Sequence, residues 1–258
     1  MPSNLPPRSA LLACWTTAWL AGEASLPDLV ERVAAHDVDH RVAGLWVDDL
    51  ELEQAVARLR VEGVRRARLV LPAPGDPLGL PGPGEFTQAA LVAGEGVLAL
   101  RDDGSGFGLV PDVTSHGSEL DGTVTTVLWS TFVVEVSGPD QGPFLHEAEH
   151  DLRVSVVEAA RALADLDVAR WNPEIGDALH DLRRSARHGI AEDELPGSWP
   201  PRAREVLVKA RQLAGVISLA QQDVGGAIDA RAADERDKVL RELARVVRRA
   251  RVAAYNAA

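Results

Sequence analysis

The chain has 258 residues and a formal net charge of −12, with 46% apolar and 26% charged residues, a composition typical of a soluble globular protein. Residues 1–150 carry 9 basic and 22 acidic side chains, which disfavours nucleic acid and anionic lipid as partners. The single cysteine excludes an intrachain disulfide, and no apolar run reaches the roughly 18 residues that a membrane-spanning helix needs. We therefore expect a cytoplasmic protein with no membrane partner.

The first half of the chain mixes helical and strand patterns. Helical spacing of apolar residues predicts helices that begin near Ser9, Pro27, Asp48 or Asp49, and Glu85. Predicted strands cover Val42–Val47, Arg68–Leu71, Val97–Leu100, Gly108–Pro111 and Thr123–Val136. We expect a polar turn over Asp37–Arg41, a β-α-β unit from the first two strands, and a hairpin at Asp103-Gly104.

The segment Pro72–Gly84 interrupts these patterns. Nine of its thirteen residues are proline or glycine, so neither a helix nor a strand ladder can run through it. It lacks the glycine spacing and the Lys-Ser/Thr pair of phosphate-binding loops. The sequence therefore predicts an irregular surface loop, and a role for it in binding a partner stays open.

The second half reads as helix alone. Four amphipathic segments follow Phe144, and proline or glycine residues separate them. The second of these segments begins after Asn172, which is suited to cap it, and ends at Gly189. Short connections between such helices favour an antiparallel bundle. The predicted fold class is thus α+β: a mixed α/β domain over residues 1–140 with a four-to-five-stranded sheet, then an antiparallel four-helix bundle over residues 141–258.

One short motif carries a known chemistry. His146, Glu147 and His150 fit H-E-x-x-H, which resembles the zinc-binding helix of the zincin metallopeptidases. That resemblance implies two histidine ligands one turn apart, with the glutamate activating a metal-bound water. Glu174 is the best third ligand by position, with Asp177 one turn later. Both histidines flank the apolar stripe of their helix, which favours exposed polar side chains in a first turn instead.

A second motif lies further along the bundle. Arg183 and His188 have the R-x4-H spacing, which resembles the HEPN-type ribonucleases, themselves helical bundles. Basic side chains near a helix C-terminus also have a structural explanation, because they stabilise the helix dipole.

The remaining special residues suggest packing. Trp15 and Trp19 lie one helical turn apart, and Cys14 has no second cysteine or base nearby in sequence, so we predict that all three belong to the core. We therefore predict a non-catalytic binding or interaction module that uses the seam between its halves, with no cofactor and no metal. Its partner is an unknown protein or small molecule, and a homo-oligomer is possible. The alternatives are a zincin-type hydrolase (His146, Glu147, His150, Glu174) and a HEPN-like ribonuclease.

Overall fold

The computed structural model describes residues 5–77, 79–118, 122–137, 142–165, 194–222 and 230–258. The chain divides into two compact units. The first unit is built from Pro6–Gly142 and also includes the described residues 194–199, and the second contains the helices that follow Pro143. Among the described residues, none of the helices is both long and apolar enough to cross a lipid bilayer.

A six-stranded mixed sheet forms the centre of the first unit. Its strands are β1 (Asp39–Ala43), β2 (Leu50–Glu51), β3 (Arg66–Val70), β4 (Gly96–Leu100), β5 (Ser105–Ser118) and β6 (Gly122–Glu135). Their order across the sheet is β2-β1-β6-β5-β4-β3. β1 and β6 run parallel, and the other neighbours are antiparallel. The mixed α/β character is as predicted, but six strands replace the predicted four to five, because a two-residue strand such as β2 leaves no periodic signal.

Two local predictions at the start of the sheet are wrong. The expected polar turn over Asp37–Arg41 is largely strand, since β1 begins at Asp39 and buries His40. The expected β-α-β unit does not form, because β3 lies at the far edge of the sheet from β1 and β2. Three antiparallel steps separate β3 from β6, so β3 runs antiparallel to β1. Of the predicted strand Val42–Val47, only Val42 and Ala43 belong to β1, and the hydrophobic pattern does not extend back to Asp39 because the buried residue His40 is polar.

The first unit has four helices: α1 (Arg8–Leu20), α2 (Leu26–Ala34), α3 (Leu52–Val61) and α4 (Glu85–Ala93). α1, α3 and α4 pack on the sheet, whereas α2 packs on α1 and α3. Phe86 of α4 packs with Leu98 and Leu100 of β4 in one apolar cluster. The intervening β4 residues point to the other face, where α1 contacts β3 and β4. Because helices cover both faces, β4 is buried at all five positions.

The predicted hairpin at Asp103-Gly104 is confirmed. β4 pairs antiparallel with β5 from Leu100–Gly106 to Val97–Leu109, and the amide of Arg101 donates to the Ser105 carbonyl at 2.8 Å. Gly104 has a φ of +85°, a conformation that favours glycine. The hairpin register fixes which β5 residues face β4 and which face β6.

The second unit contains three described helices: α5 (Leu145–Asp165), α6 (Pro201–Gln222) and α7 (Ala230–Tyr255). α7 contacts both α5 and α6, and its side chains Leu240, Leu243, Val246 and Val247 are buried. The start of α5 at Leu145 agrees with the predicted beginning of the helical half. The predicted helix from Asn172 to Gly189 lies outside the described residues, so the four-helix bundle stays a prediction.

Candidate functional site

The predicted zinc motif lies on the first turns of α5. His146, Glu147 and His150 are all exposed there, and the His146 ring stacks beside Phe144 with 6.0 Å between ring centroids. Within the described part of the chain, no group of three or more His, Cys, Asp or Glu side chains could hold a metal ion. Glu174 and Asp177 lie outside the described residues. The zinc site therefore stays a prediction.

Glu149, inside the same motif, has a structural role. Its carboxylate accepts a 2.5 Å hydrogen bond from Nε of Arg202, and Nζ of Lys209 lies 3.6 Å from it. Both cations belong to α6, so the contact links α5 to α6. The hydrogen bond from Arg202 lowers the pKa of Glu149, which keeps this carboxylate ionised. The two residues of the predicted ribonuclease motif, Arg183 and His188, lie outside the described residues.

The segment Pro72–Gly84 has neither helix nor ladder strand at its described positions, as predicted. It is fixed at two points. Ala73 and Asp76 exchange main-chain hydrogen bonds at 3.2 and 2.8 Å, and Leu80 packs against the apolar cluster under α4. Leu71 and Pro72 are buried as well. This segment is therefore held against the sheet by its own apolar residues.

A buried polar network joins three elements of the first unit. Arg8 of α1 donates two hydrogen bonds to the Asp37 carboxylate, at 2.7 and 2.6 Å. Asp37 Oδ2 lies 3.2 Å from Nε2 of His40 in β1, and Nε1 of Trp129 in β6 donates to His40 Nδ1 at 3.1 Å. The Asp37 and His40 side chains are 1% and 2% exposed. The network ties α1, β1 and β6 together.

The geometry of this network fixes the state of its histidine. Trp129 donates to Nδ1, so Nδ1 is an acceptor and Nε2 carries the proton that is donated to Asp37. Burial lowers the pKa of His40, and it outweighs the opposing effect of Asp37. Burial alone would raise the pKa of Asp37, but the hydrogen bonds and charge of Arg8 lower it. A neutral imidazole with both nitrogens engaged serves as a structural tie.

Cys14 and Trp15 are buried in α1, as predicted. Burial raises the pKa of the Cys14 thiol, which keeps it protonated and unreactive. Nε1 of Trp15 donates to the Glu194 carbonyl at 3.2 Å, and the neighbouring Leu195 is only 1% exposed. The segment of residues 194–199 therefore contributes to the core around α1.

The long hairpin of β5 and β6 contains an unpaired strand edge. β4 pairs with β5 only as far as Leu109, whereas β5 continues to Ser118 beside β6. Ser105 faces β4 and Gly104 faces β6 in the hairpin hydrogen bonds. Main-chain groups of an antiparallel strand alternate in direction, so Val113 and Ser115 face away from β6. We call Asp112–His116 the open edge of β5.

The open edge is accessible along its whole length. All five residues from Asp112 to His116 are exposed. Within the described ranges, no main-chain group outside β6 bonds the amides or carbonyls of Val113 and Ser115. Exposed, unpaired main-chain groups of this kind are a template for another strand. Of the surfaces in the described residues, this edge has the clearest chemical capacity to bind a partner.

Sequence reasoning missed both the polar network and the open edge. The sequence pattern predicts a turn at Asp37 and His40. It gives no link to Trp129, which lies 89 residues after His40. A signal for the open edge was present. Pro111 cannot donate to a ladder, and the predicted Val97–Leu100 strand is much shorter than the predicted Thr123–Val136 strand. The predicted binding seam between the two halves stays a prediction.

Comparisons with known proteins identify relatives along nearly the whole chain. Family models match residues 9–143, as the N-terminal domain of an Rv1486c-like protein, and residues 146–252, as its C-terminal domain. The chain is 30% identical to the uncharacterized protein Rv1486c of Mycobacterium tuberculosis, over 96% of both chains. It is also 30% identical to the uncharacterized protein ML1804 of Mycobacterium leprae, again over 96% of both. No solved structure matches the chain.

Proposed function

The chain belongs to the Rv1486c-like family, and we propose that it is a non-catalytic interaction module that binds a partner through the open edge of β5. One observation carries the proposal: the main-chain groups of Val113 and Ser115 face outward from a strand that is exposed over Asp112–His116. Such an edge binds an extended segment by adding it to the sheet as a further strand.

The buried side chains of the first unit support a binding role over a catalytic one. His40 uses both ring nitrogens to hold Asp37 and Trp129. Cys14 is enclosed in the core, with a thiol pKa that burial raises. An imidazole can act as a base and a thiol as a nucleophile, but in this fold His40 forms hydrogen bonds between elements and Cys14 packs in the core. We also propose that the module acts in the cytoplasm.

The rest of the sheet supports the choice of this edge. β3, at one end of the sheet, is covered by α1, and β2, at the other end, has only two residues. The open edge is exposed over five residues, and the amides and carbonyls of Val113 and Ser115 face outward from it. A partner strand therefore finds more unsatisfied hydrogen-bonding groups here than along the two outer strands.

Photo-cross-linking in living cells that express the full chain tests the proposal. Thr114, at the centre of the open edge, is replaced by a photo-reactive phenylalanine analogue. Ser115→Pro removes the outward N–H and blocks a strand from pairing, whereas Ser115→Ala keeps that N–H. We expect adducts with a polypeptide in the Ser115→Ala background and their loss in the Ser115→Pro background. No adducts, or equal adducts in both backgrounds, would contradict the proposal.

A further inference from the structure

Resting on the proposed function, we propose that the occupant of the open edge is a second copy of this chain. The β5 strands of the two copies would pair antiparallel about a two-fold axis. The sheets in the first unit of each copy would then form one continuous sheet. Symmetric pairing of this kind requires that the edge be complementary to itself. The sequence and geometry of Asp112–His116 meet that requirement.

The register follows from the directions of the main-chain groups. Val113 and Ser115 both face outward, so Val113 of one copy can form a hydrogen-bonded pair with Ser115 of the other. The symmetry repeats this pair, and each pair exchanges two bonds. Thr114 then lies directly opposite its own symmetry mate, in a non-hydrogen-bonded pair where side chains approach most closely.

The same register pairs complementary side chains. Asp112 of one copy lies opposite His116 of the other, and the symmetry repeats the contact. An imidazole N–H can donate to the Asp112 carboxylate, and opposite threonines are a favourable cross-strand pair. A shift by two residues would instead place His116 opposite Thr114 and would separate the Asp112 carboxylate from the His116 imidazole. Side-chain complementarity therefore selects the register centred on Thr114.

The side chains around the edge are consistent with a site that becomes covered. Val113, Leu128 and Val124 are 39%, 40% and 44% exposed. Leu128 is the β6 neighbour of Asp112, and Val124 is the neighbour of His116. A second β5 strand would bring the Asp112–His116 contacts beside Leu128 and Val124 on one face of the sheet. On the other face it would place Ser115 of the second copy beside Val113, so all three apolar side chains would become less exposed to water.

The mass of the purified full chain in solution gives the first test. We expect sedimentation velocity at about 0.15 M salt, where charges beyond about 8 Å are largely screened, to show a concentration-dependent species of twice the 27.6-kDa chain mass. Ser115→Pro should weaken the association at least about tenfold, and Ser115→Ala should leave it within about twofold. We expect both variants to fold, because the main-chain groups of residue 115 face away from β6, and circular dichroism checks this.

A cysteine variant tests the register independently. Thr114→Cys brings two Cα atoms to about 4.5 Å across the axis, within the range that a disulfide spans. Thr126→Cys is the matched control, because residue 126 is paired with Thr114 on β6 and its symmetry mate lies three strand spacings, about 14 Å, away. The native Cys14 is buried. Mild oxidation should therefore cross-link the Thr114→Cys variant alone.

The possible outcomes separate this inference from the proposed function. A chain that stays at one chain mass, a dimer unaffected by Ser115→Pro, or a Thr114→Cys variant that does not cross-link would each overturn the inference. If edge-dependent adducts in cells then contain another polypeptide, the proposed function stands and only the second copy is excluded. If those adducts are absent as well, both fail.

Discussion

Two strand edges of this sheet, β3 and the open edge of β5, differ in whether their main-chain groups have partners. On β3, the hydroxyl of Thr17 donates to the Ala67 carbonyl at 2.8 Å and accepts from the Ala67 amide at 3.0 Å. One side chain of α1 thus satisfies both main-chain groups that face away from the sheet at this position. On β5, Val113 and Ser115 face outward, and no described group takes that place.

Whether a strand edge can pair with another strand therefore depends on the groups that lie against each of its residues. β3 is an end strand by topology, yet α1 covers it, whereas β5 is an interior strand that becomes an edge because β4 is shorter. Natural sheets protect edges that must not pair. Because the β3 edge of the same sheet is covered, the open edge of β5 is the better candidate for a surface that pairs with another strand.

The largest effect is expected when the same substitution is placed on both edges. Ala67→Pro removes the amide that Thr17 accepts from and puts a rigid ring into a strand packed on α1. We expect a loss of roughly 3 kcal/mol in the free energy of unfolding. Ser115→Pro removes an amide that faces solvent in the single chain, so we expect a loss below about 1 kcal/mol.

Urea unfolding of both proline variants at submicromolar concentration measures this contrast, because dilution removes any contribution from association. Ala67→Gly and Ser115→Gly are the controls, since each retains the N–H at its position. Equal losses for the two proline variants would show that the edges do not differ as described.

A smaller effect is expected at the residue that closes β3. Thr17→Val keeps the shape of the side chain but removes the hydroxyl, and this leaves the amide and carbonyl of Ala67 without their partner. We expect a loss of about 2 kcal/mol in the free energy of unfolding. Thr17→Ser retains the hydroxyl and should cost less than half as much. Calorimetric melting of the three proteins decides the point, and a Thr17→Val variant as stable as the wild type would contradict it.

The smallest expected effect is on the pH dependence of the free energy of unfolding. It distinguishes His40, which is buried, from His116, which is exposed on the open edge. The pKa of His40 is lowered in the folded chain, against about 6.5 when unfolded. As the pH falls below about 6.5, the unfolded chain takes up a proton that the folded chain resists. The free energy of unfolding should therefore fall, by at most about 1.4 kcal/mol per pH unit.

The matched variants for this pH dependence are His40→Gln and His116→Gln. Urea unfolding of each between about pH 5 and pH 8 gives the slope of stability against pH. The slope should be reduced in His40→Gln and kept in His116→Gln. A slope that is unchanged in His40→Gln would show that the buried network does not control it.

Much of the fold could be predicted from the sequence, because long periodic elements carry their own signal. The helix over Glu85–Ala93, the long strand from Thr123 and the Asp103-Gly104 hairpin all depend on local patterns that the tertiary structure keeps. The beginning of β1 was not predicted, because His40 is buried there although it is polar, and it is stabilised by Trp129 on another strand. A hydrophobic pattern cannot register burial that depends on a distant hydrogen bond.

The site was harder to predict for the same reason. The motif His146-Glu147-x-x-His150 is conspicuous in sequence, but its histidines are exposed on α5, and Glu149 within it binds Arg202. The open edge carries no motif at all. It arises from a difference in length between β4 and β5, and the residue at which the edge begins is known only from the register of both strands. The local sequence shows which chemical groups are present, whereas strand pairing determines whether those groups are accessible to a partner.

Residue-resolved hydrogen exchange of the backbone amides distinguishes the covered edge of β3 from the open edge of β5. The full chain is compared at about 1 μM and at about 100 μM, and the amides of Ala67, Val113 and Ser115 are followed. We predict that Ala67 is protected at both concentrations, whereas Val113 and Ser115 exchange rapidly in the dilute sample and become protected in the concentrated one. Rapid exchange of Val113 and Ser115 at both concentrations would contradict a strand edge that a second copy covers.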